Sequence, residues 1–303
     1  MTESLKGGCA FVDGRFVPLA QAGVPVMDYG FLRSDATYDV VHVWDGAFFR
    51  LDDHLKRFRA SMENFRLKPR ESDADIRRML HELVRRTGLR EAYVAMDCLR
   101  GRPKPGEPYH PAYARNYLSS FCIPYVWLAP QEKISKGLHA IIASNPRIPE
   151  ACVNLKAKNF HWADLTRASF EAEDKGADKP ILLDLEGYVT EGPGFNVFAV
   201  TDGVLATPDR NVLEGVSRGA VIELCGQLGL PCEVRRMPAS ELREADEIFL
   251  TSTAGGVLPV TRLDDRILGN DRPGPVSEKL REQYWARRKA GWCAERVDYD
   301  AAA

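Results

Sequence analysis

The chain has 303 residues, of which 45% are hydrophobic and 28% charged. This is the composition of a globular protein that buries a core, and it excludes a chain that is mainly disordered. Its 41 Lys and Arg against 43 Asp and Glu leave a net charge of −2, which speaks against a nucleic-acid coat or a polyanion binder.

The first signals along the chain are Asp13-Gly14 in AFVDGRFV and Asp45-Gly46 in VVHVWDGAFF. An Asp-Gly pair between apolar runs favours a type I′ turn, whose twist joins antiparallel strands. Residues 53–66 then place Leu55, Phe58, Met62 and Phe65 at helical spacing, with Asp52 or Asp53 as a cap. A second helix is predicted over 73–87. Ser72 precedes it, Asp75 stands three positions on, Ile76, Leu80, Leu83 and Val84 share a face, and Gly88 ends it. The stretch IPYVWLAPQEKISKG shifts from apolar to Pro-containing and charged, which marks an interdomain linker at 125–134. Residues 160–175 predict a helix before Gly176, and Glu186-Gly187 and Asp202-Gly203 predict two more turns. Residues 218–228 read as a helix capped by Ser217 and closed by Gly229, and 276–290 as the last helix. The expected fold class is α+β, with largely antiparallel or mixed sheets. Two domains fit the length: a small one over 1–124 and a large one over 135–303.

Four segments offer chemistry. NLKAKNFHW puts Lys156 and Lys158 just before a helix. A lysine drawn into an apolar setting loses proton affinity and attacks carbonyls as a neutral amine, although most lysines at such places are solvated. YVTEGPGFNVFAV sets Glu191 before a Gly-Pro-Gly turn. No third glycine and no helix follow, so the dinucleotide-binding geometry fails. GVSRGAVIEL and TSTAGG are Gly/Ser/Thr turns, the first running into a helix whose free N–H groups suit a phosphate. Arg57 lies off the apolar face of its helix and by itself reads as a surface residue.

Together these pieces resemble the fold-type IV (class IV) pyridoxal-phosphate aminotransferases, and within them the (R)-selective amine transaminases. The quoted stretches are YGFLRSDATYDVVHVWDGAFFRLDDHLKRF, VNLKAKNFHWADLTRASFEA, YVTEGPGFNVFAVTDGVLATPDRNVLEGVSR and EIFLTSTAGGVLPV. The resemblance implies the two-domain fold of D-amino-acid and branched-chain aminotransferases, with pyridoxal 5′-phosphate (PLP) bound by the large domain. The family pattern is a lysine, then a helix, then Glu-Ala, here Glu171-Ala172. That register is met from Lys158, which the resemblance makes the Schiff-base residue and proton carrier; Lys156 is the runner-up.

In the same way Glu191 is the expected partner of the pyridine nitrogen, and Arg57 the phosphate arginine. Val216, Ser217 and Thr253 complete the expected phosphate cup, and Leu213 packs on the ring. The expected substrate-binding residues are Arg33, Tyr38, Tyr93, Ala95, Thr253 and Ala254. Arg33 stands where several (R)-amine transaminases have His, with Tyr38 expected in the same strand. Ala95 stands where branched-chain enzymes tend to have Arg, which removes a carboxylate anchor and leaves room for an apolar group. A keto-acid acceptor still needs a cation, from Arg33 or from Arg100, Arg102 or Lys104 in RGRPKPGEPYHP. Pro193 departs from the Ser that many relatives carry.

The expected reaction is a ping-pong transfer of an amino group from an (R)-amine or D-amino acid to pyruvate or 2-oxoglutarate. The alternatives are a branched-chain L-amino-acid aminotransferase, a 4-amino-4-deoxychorismate lyase on the same scaffold, and a non-catalytic PLP- or metabolite-binding protein. The expected partners are small molecules and a second copy in a homodimer. No nucleic-acid role is expected, since MLHELVRRTGLR reads as a solvated helix face. Seven cysteines without a CxxC speak for reduced thiols rather than a disulfide scaffold or a metal site. With no signal-peptide layout and no apolar run of about 18 residues, a cytoplasmic protein without a membrane span is expected.

Overall fold

The computed structural model describes residues 7–300. They divide into two compact units. The first gathers residues 7–126, 157–160 and 291–300, and the second gathers Trp127–Lys156 and His161–Ala290.

In the first unit β1 (Cys9–Val12) turns through Asp13-Gly14 into β2 (Arg15–Pro18). A short helix, α1 (Tyr29–Arg33), precedes the long β3 (Ala36–Trp44), which turns through Asp45-Gly46 into β4 (Ala47–Phe49). Both turn pairs have positive φ at both residues, 43° and 88° in the first and 50° and 69° in the second, as a type I′ turn requires. Helices α2 (Leu51–Asn64) and α3 (Asp73–Thr87) follow, then β5 (Ala92–Leu99) and β6 (Tyr117–Pro124). A strand from far along the chain, β16 (Ala294–Arg296), pairs with β4. The sheet order is β16-β4-β3-β5-β6-β1-β2, antiparallel throughout.

One face of this sheet buries Val41, Val43, Val94, Met96 and Leu118 against Leu55, Phe58, Met62, Ile76, Leu80 and Leu83 of the two helices. Helix α3 starts on a full capping box between Ser72 and Asp75 and stops at the left-handed Gly88. Side chains alternate along a strand, so the opposite face carries Tyr38, Val40 and His42 of β3, Tyr93, Ala95 and Asp97 of β5, and Ser119 and Phe121 of β6.

The second unit opens with α4 (Gln131–Lys136), β7 (Leu138–Ile142), α5 (Ala163–Asp174) and β8 (Lys179–Ile181). The two-residue β9 (Glu191–Gly192) turns through Pro193-Gly194 into β10 (Phe195–Thr201), and Asp202-Gly203 leads into β11 (Val204–Thr207). Helix α6 (Val216–Leu228), β12 (Cys232–Val234), α7 (Ala239–Glu244), β13 (Glu247–Ser252), β14 (Gly256–Leu263), β15 (Arg266–Ile267) and α8 (Pro275–Lys289) complete it. The main sheet order is β12-β11-β10-β13-β14-β7-β8, with β15 on β14 and β9 on β10. It is mixed: β11–β12, β14–β7 and β7–β8 are parallel. Phe198 and Phe249, opposite each other on β10 and β13, stack at 4.8 Å.

Several expectations need correction. Residues 125–134 are not a free tether: from Trp127 they belong to the second unit, Ala129 and Ile134 are buried in its core, and α4 begins at Gln131. Residues 157–160 and 291–300 group with the first unit rather than with 135–303, because Asn159 bridges to Thr37 and β16 pairs with β4. Helices α2 and α6 start earlier than expected: α2 begins at Leu51 with Arg50 rather than Asp52 or Asp53 at its N-cap, and α6 has Gly215 rather than Ser217 there.

Candidate active site

Lys158 lies in a short segment laid against β3. Tyr38 N–H donates to the Lys158 carbonyl at 3.1 Å, and Thr37 Oγ1 donates to the same oxygen at 2.5 Å. Lys158 N–H donates to Ser61 Oγ at 3.0 Å, and Ser61 Oγ donates to the Arg57 carbonyl at 2.9 Å. The lysine backbone is therefore fixed from both β3 and α2, one helical turn from Arg57. Its Nζ sits 4.2 Å from the centre of the Tyr38 ring, and Phe160 packs on that ring at 4.5 Å. Lys156 differs. It is exposed and ion-paired to Glu214 at 3.0 Å, and that partner holds its ammonium above the usual lysine range. A protonated surface ammonium is no nucleophile, so the geometry favours Lys158 between the two.

Arg57 leaves the apolar face of α2 as expected, but it does not point into bulk water. Its Nε and Nη2 donate to the two oxygens of Asp39 at 2.7 and 2.8 Å, and His54 Nδ1 lies 2.8 Å from the same carboxyl. Asp39 is fully buried. Burial would raise its carboxyl, but Arg57 and then His54 outweigh it and hold the group well below the usual carboxylate range. Burial keeps the His54 imidazole below its ordinary value, so the neutral ring donates from Nδ1. Asp39, His54 and Ser61 carry no signal in the sequence. Each reads there as an ordinary strand or helix residue, and only the facing of β3 and α2 reveals the cluster.

Among the expected substrate residues, Tyr38, Tyr93 and Ala95 share one sheet face. Val40 is the β3 partner of Ala95, and His42 that of Tyr93. Arg33 does not share their strand. It ends α1, and Ser34 breaks the chain with a left-handed φ of 53° before β3 begins. Arg33 is exposed, with its guanidinium 4.3 Å from the Tyr29 ring and 5.7 Å from that of Tyr109. Arg100 is committed elsewhere: it forks onto Asp35 at 2.9 Å and donates to the carbonyls of Phe65 and Arg66. Arg102 and Lys104 are exposed.

In the second unit Glu191 is buried. Its Oε1 accepts from Arg147 Nε at 3.3 Å and Nη2 at 3.2 Å, and its Oε2 accepts from Leu213 N–H at 2.9 Å. Arg147 in turn donates to Asp164 at 2.6 Å. Asn196, across the ladder from Glu191, donates to the Leu213 carbonyl at 2.8 Å and lies within 3.4 Å of Glu191 Oε2. A Cβ added at Gly215 would sit 2.1 Å from Asn196 Oδ1, so only glycine lets the chain pass there into α6. Asn196 thus gathers Glu191, Leu213 and the start of α6. Val216 and Ser217 form the first turn of α6, whose N-cap bears no side-chain cap. Ser217 Oγ is 3.4 Å from Tyr284 Oη, and a Cβ at Gly256 would meet the Tyr284 ring at 2.8 Å. The α6 start and the 253–256 turn therefore both abut Tyr284. Ser252 Oγ accepts from Ala254 N–H at 3.1 Å and donates to the Gly194 carbonyl at 2.8 Å, which fixes that turn. Arg147 and Asn196 are likewise unmarked in the sequence; a buried Arg or Asn shows only as a lone polar residue in an apolar run.

These groups fit PLP. A buried carboxylate held by a guanidinium and by N–H donors suits a protonated ring nitrogen. An uncapped helix start reached over a glycine suits a phosphate dianion. Among the described residues no group of His, Cys, Asp and Glu has metal-site geometry, and no helix is long and apolar enough to cross a membrane.

Comparison with known proteins agrees. The family model described as amino-transferase class IV matches residues 36–263. The chain is 30% identical to a putative branched-chain-amino-acid aminotransferase of Methanocaldococcus jannaschii, over 90% of this chain and 94% of that protein. It is 28% identical to a D-alanine aminotransferase of Bacillus licheniformis, over 88% and 93%. Among solved structures, the branched-chain amino acid aminotransferase of T.th. with pyridoxamine 5′-phosphate superposes with a TM-score of 0.89 at 30% identity, covering 97% of this chain and all of that one. Sequence, fold and site chemistry converge, and the chain belongs to the class IV aminotransferase family, as a PLP-dependent aminotransferase.

Proposed function

We propose that this aminotransferase takes its amino group from an (R)-amine or D-amino acid and passes it to a keto acid such as pyruvate or 2-oxoglutarate, with Lys158 as the residue joined to the cofactor. When bound, PLP supplies an electron sink for the carbon that carries the amino group. Lys158 takes and returns the proton at its Nζ, which lies against the Tyr38 ring, while Tyr38, Thr37 and Ser61 hold the lysine backbone from which it extends. Glu191, braced by Arg147 and Leu213 N–H, holds the proton on the ring nitrogen. Arg57, Val216, Ser217 and Thr253 bind the phosphate, and Leu213 packs on the ring.

The observation that carries the donor reading is Ala95. It occupies the sheet face of Tyr38 with a methyl group, so no fixed cation there demands a donor carboxylate. A branched-chain L-amino acid is the second reading, favoured by the names of the Methanocaldococcus jannaschii and T.th. relatives. A homodimer is part of the proposal, supported by the exposed apolar Val26, Phe31 and Leu32 at 71, 66 and 48% exposure.

A donor panel decides. Visible absorbance follows conversion of bound PLP to the pyridoxamine form, with (R)- and (S)-1-phenylethylamine, D-alanine, L-leucine and L-valine as donors. Conversion by the (R)-amine or D-alanine is expected, and Lys158→Ala abolishes it. Fast conversion by L-leucine and L-valine alone would install the second reading.

A further inference from the structure

Asp97 is an acid that the site described above does not use. It stands on β5 directly across from Tyr38 of β3 and from Ser119 of β6. Opposed residues in an antiparallel pair have Cα atoms roughly 4.5–5.5 Å apart and project to the same face. Tyr38 is the residue whose ring lies 4.2 Å from Lys158 Nζ, and Ala95 is the next residue of β5 on that face. Asp97 is half-buried, and among the described residues no hydrogen bond or ion pair reaches its carboxyl. On β3, β5 and β6 the other titratable side chains of this face are the phenols of Tyr38, Tyr93 and Tyr117 and the imidazole of His42, with Lys158 beyond Tyr38; farther out, Arg15 of β2 ends the row of Asp97 past Ser119 and Val12, and Arg296 of β16 lies at the other end of the sheet. Tyr117 donates its O–H to Asp28 at 2.7 Å.

A shielded carboxyl without a partner is costly, and burial pushes this one up to about 7. The fold gains nothing from it that an apolar residue would not supply. The neighbouring acid Asp39 shows the contrast, because its cost is offset by Arg57 and His54. What Asp97 lacks is a cation, and the ligand that approaches Lys158 is a primary amine.

We infer that Asp97 is a specificity-determining residue that receives a second positive charge on the donor, which makes short α,ω-diamines the preferred amine class. The inference rests on the amine-donor reading given above. The amino group that reacts lies at Lys158, and the distal ammonium pairs with Asp97 one cross-strand step away. The methylene chain runs along the Tyr38 ring, and Ala95, the next residue of β5 on this face, adds only a methyl group beside it. A charge-assisted pair shielded from water is worth more than an exposed one, so the distal ammonium lowers KM rather than merely being tolerated.

The test uses the PLP-loaded protein and matched pairs of donors: pentylamine against 1,5-diaminopentane, and butylamine against 1,4-diaminobutane. The half-reaction is followed by loss of PLP absorbance. In the wild type the diamine has a KM lower by about ten-fold for at least one chain length, and in Asp97→Asn and Asp97→Ser that ratio falls to about one. A reading without turnover comes from the cofactor-free protein. There 1,5-diaminopentane raises the thermal midpoint more than pentylamine in the wild type, and both act equally in either variant. Conversion by monoamines with no diamine advantage, or an advantage that survives both substitutions, overturns the role of Asp97 and leaves the amine-donor reading intact. A protein converted by L-leucine but by no amine overturns both.

Discussion

Asp39 and Asp97 lie on opposite faces of one antiparallel sheet and meet opposite fates. Asp39 faces α2, where Arg57 forks onto it and His54 adds a third contact. Asp97 faces away from the helices and meets no cation. Burial acts in the same sense on both, disfavouring the charged form, and the presence of a guanidinium reverses the outcome at one of them. Shielding sets the size of an electrostatic effect, and the partner sets its sign. The pair also separates two situations: Asp39 holds Arg57 in place, whereas Asp97 stays without a cation across from Tyr38.

The strongest perturbation of this contrast removes the partner of Arg57. Asp39→Ala leaves a guanidinium with little solvent beside a buried imidazole, and a loss of about 3 kcal/mol is expected, measured by urea unfolding. The same variant binds PLP more weakly, read by equilibrium dialysis, because Arg57 loses the fork that aims it. Asp39→Glu is expected to recover part of that affinity, which a purely destabilising change would not allow.

A second test is pH. Asp39 has a depressed carboxyl, so its stabilisation is present above the ordinary Asp value of about 4 and is lost as pH falls through the folded-state value below it. Asp97 has a raised carboxyl, so between about 4 and 7 the folded state binds the extra proton and stability falls as pH rises. Asp97→Asn removes that slope. It is expected to gain about 1 kcal/mol over the wild type at pH 8 and close to nothing at pH 4, read from thermal midpoints across the range. A parallel displacement of the two curves at every pH would refute the raised carboxyl.

The smallest expected effect belongs to the other lysine. Lys156 and Glu214 are both more than half exposed, and Lys156→Ala is expected to change stability by less than about 0.5 kcal/mol and donor turnover by less than about two-fold. Loss of turnover in Lys156→Ala with survival in Lys158→Ala would exchange their roles.

Much of the fold is legible in the chain. The Asp-Gly pairs dictate three hairpins, because two consecutive residues with positive φ are tolerated by few other dipeptides. Ser72, Asp75 and Gly88 dictate both ends of α3, because capping depends on residues adjacent in sequence. The proposal of Lys158, Arg57 and Glu191 as site residues comes from motif order. Ambiguous local signals mislead: residues 125–134 combine proline and charge like a linker, yet Ala129 and Ile134 are drawn into a core that their neighbours in sequence do not form.

Short-range sterics and apolar spacing are written in the order of residues, and they set the turns, the helix ends, the strands of the two sheets, and the family. Three-dimensional packing had to settle the rest: which lysine has a surface acid to hold its proton, that Arg33 ends a helix instead of joining the strand of Tyr38, and that one acid has a guanidinium across from it while another has an aromatic ring. Those outcomes depend on which strand lies beside which and on which face a side chain leaves. They are fixed by long-range pairing and burial, and no window of neighbouring residues carries that information.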